Sequence, residues 1–110
     1  MEGTVLSGIG AAPGTAEGTV TVVIGGAGLE AFQAGNVLVA DTINPTMAAA
    51  VKTAAAVVTD GGGKTSHAAI FAREAGIPAV VAANTASQTL QTGMRVTVDG
   101  DAGTVTVAQA

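Results

Sequence analysis

The chain contains no cysteine, tryptophan or tyrosine, and only two phenylalanines, three prolines and one histidine among 110 residues. Without cysteine there is no disulfide framework, no thiolate metal site and no thiol nucleophile, a usage in keeping with a cytoplasmic protein. Four Lys and Arg against eight Asp and Glu give a formal net charge of −4. No basic surface is therefore available to hold a nucleic-acid backbone, and nucleic acid is not an expected partner. No segment nears the roughly 18 unbroken apolar residues of a membrane span. Residues Met1 to Gly8 lack both a basic n-region and a long apolar run, so neither a membrane partner nor a signal peptide is expected.

What is present is small and apolar: 48% of residues are hydrophobic, dominated by 24 Ala and 15 Val. That composition suits a densely packed, aromatic-poor α/β core, and with no linker, repeat or charge block the length is that of a single domain, 1–110. Gly-rich turns alternate with short apolar pieces over the first twenty residues, with Ala12-Pro13-Gly14 as a turn. Thr19 to Ile24 reads as a β-branched strand, and Leu29 to Ala34 as a short helix stopped by Gly35. Val37-Leu38-Val39-Ala40, Ala55 to Thr59 and Pro78 to Ala82 are nearly all apolar, the pattern of strands covered on both faces. Asn44-Pro45-Thr46 opens a helix that runs to about Thr53, with Met47, Ala50 and Val51 on one side. A second helix, Ser66 to Ala75, turns Ala69, Ile70 and Phe71 inward and ends at Gly76 before Pro78. Arg95 to Val98 and Thr104 to Val107 alternate with period two around Asp99 to Gly103, a hairpin with one solvated face. Strands alternating with short helices in the middle, and hairpins at the ends, argue for a layered α/β domain with a short parallel sheet.

The chemistry gathers at one corner. Gly61-Gly62-Gly63-Lys64-Thr65-Ser66-His67 joins a buried strand to a helix and places His67, the one imidazole, in the first helical turn. Spare backbone N–H groups and the positive end of the helix dipole would stabilise an anion there, and an imidazole with a free lone pair is a nucleophile. Position alone leaves the plainer reading open, because a lone histidine or a glycine turn ahead of a helix commonly has no chemistry. Gly63-Lys64-Thr65 also looks like the end of a phosphate-binding G-x-x-x-x-G-K-[ST] loop, but its first glycine would fall on Val58, so that motif fails and Lys64 is read as a solvated neighbour.

The stretch from Gly61 to Val81 resembles the phosphohistidine signature of the phosphoenolpyruvate-utilising enzymes, G-G-x-T-S-H-A-A-I-x-A-R-x-x-G-I-P-A-V-V. The likeness extends to Gly8-Ile9-Gly10-Ala11-Ala12-Pro13-Gly14 with Gly18, to Val37-Leu38-Val39-Ala40 with Pro45, and to Gly93 through Gly100 with Gly103. It implies a swivelling β/β/α three-layer domain, the mobile part of a larger enzyme, in which the histidine accepts a phosphoryl or pyrophosphoryl group at a nucleotide site and hands it on at a second site. That role falls on His67. Gly62, Gly63, Thr65 and Ser66 would position the transferred group, and Thr65 matches a position that several members phosphorylate for regulation, where a second dianion would repel the incoming phosphate. Arg73 also matches, but it lies six residues on, about 9 Å along a helix and off the His67 face, which points to a structural ion pair.

The resemblance implies no cofactor bound by this domain itself. Mg²⁺ and ATP are expected on an ATP-grasp nucleotide-binding partner, with a barrel domain binding pyruvate or phosphoenolpyruvate, in cis or in trans. Alone, the domain is expected to turn over nothing. Three other readings remain: a non-catalytic docking or regulatory module, the carrier domain of a small-molecule, rifampicin-type phosphotransferase, and a piece of a sugar phosphotransferase Enzyme I. The last family more often has T-S-H-T-S where this chain has Thr65-Ser66-His67-Ala68-Ala69.

Overall fold

The computed structural model describes residues 5–25 and 27–107. Its strands are β1 (Val5–Ser7), β2 (Ile9–Ala12), β3 (Thr15–Val23), β4 (Val37–Ala40), β5 (Ala56–Thr59), β6 (Ala79–Val81), β7 (Arg95–Asp99) and β8 (Thr104–Val107). Three short α-helices accompany them: α1 (Ala48–Thr53), α2 (His67–Ala75) and α3 (Ala86–Thr89). The strands form one sheet in the order β1-β8-β7-β3-β4-β5-β6-β2. Strands β3 to β6 run parallel, with antiparallel β2 on the β6 edge, whereas β7, β8 and β1 continue the sheet antiparallel on the other side.

Strand β3 belongs to both halves. Its residues Thr15 to Thr19 pair with β7, and Val20 to Val23 pair with β4. At the changeover the Val20 amide donates to the Met94 carbonyl, and the Gly93 amide donates to the Val20 carbonyl. Because β1 and β2 are separated by Gly8 alone yet sit at opposite ends of the strand order, the sheet curls until its edges nearly meet. The Gly8 amide donates to the Gly103 carbonyl at 2.8 Å across that closure. Gly100 faces it so closely that an added Cβ would sit 1.8 Å from the Ala12 carbonyl oxygen, leaving no room for a side chain.

Alternation along the parallel strands separates two cores. Val37 and Val39 face the sheet interior with Val20, Val58, Val80 and Val98, while Leu38, Ala40 and Val57 face α1 and α2, where Met47, Val51, Ala68, Ala69 and Ala72 cover them. All four residues of β4 and of β5 are buried, as continuous apolar runs between two covers require.

The α/β class, the short parallel sheet and the β7–β8 hairpin match the sequence expectation, but four features differ. No hairpin stands at the amino end: β1 and β2 pair with β8 and β6 on opposite edges, because the chain crosses from one edge to the other at Gly8, whose amide takes the Gly103 carbonyl. The helix expected over Leu29 to Ala34 is a 3₁₀ turn over Leu29–Ala31. The Gln33 amide donates to Asn36 Oδ1 at 2.8 Å, so a side chain takes the amide that would have extended the helix. Ile70 is 40% exposed, since the buried arc of α2 is Ala68, Ala69 and Ala72, and Ile70 lies across the helix from it. The helix α3 carries no apolar period that announces it.

Candidate functional site

The corner between β5 and α2 is held in two different ways. Its first half is tied down: the Thr59 hydroxyl donates to the Gly61 carbonyl at 2.7 Å, and the Asp60 amide donates to the Ala40 carbonyl at 3.1 Å. The segment after β6 braces the same residues, with the Ala83 amide on the Thr59 carbonyl at 3.0 Å and the Asn84 amide on the Asp60 carbonyl at 2.9 Å. Ser87, in α3, donates its amide to Asp60 Oδ1 at 2.8 Å and its hydroxyl to Oδ2.

The second half is open and built around glycine and the helix cap. Gly62 has φ +99°, which favours glycine, and an added Cβ would lie 3.1 Å from the Ser66 side chain, a tight contact that Ser66 would have to yield to. Around Gly63 the space is free, with nothing within 4 Å of an added Cβ. Ser66 is the N-cap of α2: its Oγ accepts from the Ala69 amide at 3.4 Å and donates to the Gly63 carbonyl at 2.7 Å. The Ile70 amide takes the Ser66 carbonyl at 3.0 Å, so the amides of His67 and Ala68 are the ones left without an intrahelical acceptor. Positive dipole charge and donors thus converge where His67 stands, and a phosphate-sized anion is stabilised at such a terminus.

His67 is exposed and stacks on Phe71, with ring centroids 5.6 Å apart and planes 17° from parallel. Phe71 is half-buried and forms, with Ala48, Lys52, Glu74 and Ala75, the wall of a cleft of about 350 Å³ between α1 and α2. The structure therefore brings Gly62, Gly63, Ser66 and His67 to one corner. Thr65 and Lys64 are exposed beside it. Arg73 is elsewhere: its Nε donates to the Ala11 carbonyl at 2.9 Å, tying α2 to β2, and among the described residues this hydrogen bond stands in place of the expected ion pair. Two residues at the corner escaped the sequence reading as site residues; Phe71 enters it only as part of the inward face of the helix. Phe71 is found by its i, i+4 spacing from His67, whereas no local signal marks Asp60 as the partner of Ser87, 27 residues on. Among the described residues no three His, Asp or Glu side chains converge as metal ligands, and no helix is long and apolar enough to cross a membrane.

Residues 32–103 match the family described as PEP-utilising enzyme, mobile domain. The phosphoenolpyruvate synthase of Pyrococcus furiosus is 50% identical over 101 residues, covering 92% of this chain but 12% of that protein, so the chain spans about an eighth of the curated relative's length. Among solved structures, Enzyme I in solution is 34% identical with a TM-score of 0.63, covering 74% of this chain and 34% of that one. A chain of Thermococcus kodakaraensis aconitase X is 27% identical with a TM-score of 0.73, covering 97% of this chain and 100% of that one. With the family match running over residues 32–103, His67 among them, and half of 101 aligned residues shared with a phosphoenolpyruvate synthase, the chain belongs to the PEP-utilising enzyme mobile-domain family.

Proposed function

We propose that this chain is a phosphocarrier domain, which accepts a phosphoryl or pyrophosphoryl group on His67 and passes it between a nucleotide site and a pyruvate or phosphoenolpyruvate site on partner domains. The observation that carries the proposal is the exposed imidazole at the capped end of α2, beside two amides without intrahelical acceptors and a glycine whose surroundings are empty. An in-plane lone pair on one ring nitrogen forms the N–P bond as the P–O bond to the donor breaks, and the donor oxygen keeps that electron pair. In the second step an acceptor oxygen attacks phosphorus, the N–P bond breaks and the neutral ring returns. Gly62, Gly63 and the Ser66-capped turn hold the group's oxygens, and Thr65 borders it as the position where a second phosphate would repel the first. Lys64 adds a solvated positive charge nearby.

On this reading residues 1–110 swivel as one three-layer β/β/α unit between an ATP-grasp domain holding ATP and Mg²⁺ and a barrel holding pyruvate or phosphoenolpyruvate, in cis or in trans. The acceptor is chosen by the partner, so a small-molecule phosphotransferase uses the same corner unchanged. The 12% share of a phosphoenolpyruvate synthase supports a piece that works within a larger assembly. A second reading, a docking or regulatory module, draws on the likeness to an aconitase X chain of the same extent, since a shared fold does not fix chemistry.

The test supplies labelled ATP with a nucleotide-binding partner and, separately, labelled phosphoenolpyruvate with a barrel partner. The carrier reading predicts acid-labile, base-stable label on the chain that is absent from His67→Ala. The docking reading predicts partner binding that is indifferent to His67→Ala, with no label from either donor.

A further inference from the structure

We propose that Phe71 is a positioning residue for His67, an inference that rests on the phosphocarrier reading. The two rings lie one helical turn apart with planes 17° from parallel. Phe71 packs against the helix-side core and walls the cleft beside Ala48 and Lys52, whereas His67 is exposed. One ring is therefore anchored and the other leans on it. Histidine χ2 is a broad torsion. A near-parallel neighbour restricts the imidazole to the two orientations, related by a flip, that lay its plane against the phenyl face. Both ring nitrogens sit on the ring edge, so a stack on the face restrains the nucleophile without blocking it. In-line phosphoryl transfer depends on that restraint, because its catalysis is largely positioning.

The chain's single histidine permits a test without any partner. Phosphoramidate phosphorylates imidazole directly: the ring nitrogen bonds to phosphorus as the P–N bond of the reagent breaks, and ammonia departs with the proton the ring gives up. The rate of this reaction and the NMR positions of the His67 ring protons are measured for the wild type, Phe71→Leu, Phe71→Met and Phe71→Tyr. Both non-aromatic variants are expected to react about three- to tenfold more slowly, the factor an aromatic pair supplies. Their His67 ring protons should also leave the ring-current-shifted position, while Phe71→Tyr restores rate and shift together. Phe71→Met keeps the comparison if Phe71→Leu folds poorly. Wild-type rates and unmoved resonances in the folded non-aromatic variants overturn the proposal. Phosphoramidate labelling that stays intact while partner-dependent transfer fails counts against the carrier reading alone.

Discussion

The Ser87 amide donates to Asp60 Oδ1 at 2.8 Å, and the Ser87 hydroxyl donates to the other oxygen of the same carboxylate. A helix that begins after β6 thereby grips Asp60, the residue that opens the glycine loop leading to His67. Removing the carboxylate in Asp60→Ala leaves the Ser87 amide and hydroxyl unpaired. The expected loss is about 1.5–3 kcal/mol, the worth of hydrogen bonds to a charged group, with a smaller loss for Asp60→Asn, which keeps an acceptor oxygen. Urea unfolding of the two variants beside the wild type measures both; equal midpoints in all three contradict the clamp.

Gly62 and Gly63 are adjacent, yet alanine should separate fold from function between them. At Gly62, φ +99° and a Cβ 3.1 Å from Ser66 make alanine strained, with an expected cost of about 1–3 kcal/mol in unfolding free energy. At Gly63 nothing lies within 4 Å of the new methyl, so the folded state is expected to keep its stability while phosphate uptake falls, because the methyl occupies the approach to the loop. Thermal unfolding together with phosphoramidate labelling distinguishes the two. Undiminished labelling in Gly63→Ala would show that the transferred group does not pass over this glycine.

Arg73 is a strut. Its Nε donates to the Ala11 carbonyl at 2.9 Å, linking α2 to the edge strand β2, so Arg73→Ala is expected to lose about 1 kcal/mol of stability and to leave the rate of His67 phosphorylation by phosphoramidate unchanged. Calorimetry reads the first and acid-labile label the second. A large fall in labelling with normal stability would instead put the guanidinium at the reacting group.

Much of this architecture is readable from the residues. Buried strands announce themselves where both faces are covered, as in Val37 to Ala40, and the cap of α2 follows from Ser66 ahead of an alanine-rich arc. The closure of the sheet is not readable, because it depends on Gly8, Gly10, Gly100 and Gly103 meeting across most of the chain, and a glycine in sequence does not say which backbone approaches it. Helix α3 is likewise hidden: Ala86 to Thr89 has no apolar stripe, and Asp60, far upstream, secures its first turn. At the site, His67 and its glycine turn are local and legible. The stack on Phe71 is legible only if the i, i+4 rule is applied across the polar face as well as the apolar one.

The central claim is that His67 takes the phosphoryl group. Mass spectrometry under neutral conditions, on the chain incubated with phosphoenolpyruvate and a barrel partner, locates that group most directly by sequencing the peptide that spans Gly61 to Arg73. The account predicts one added phosphoryl group on the imidazole of His67 and none on the peptide from His67→Ala. A phosphoryl group found on Thr65 or Ser66 instead, or one that persists in His67→Ala, would contradict it.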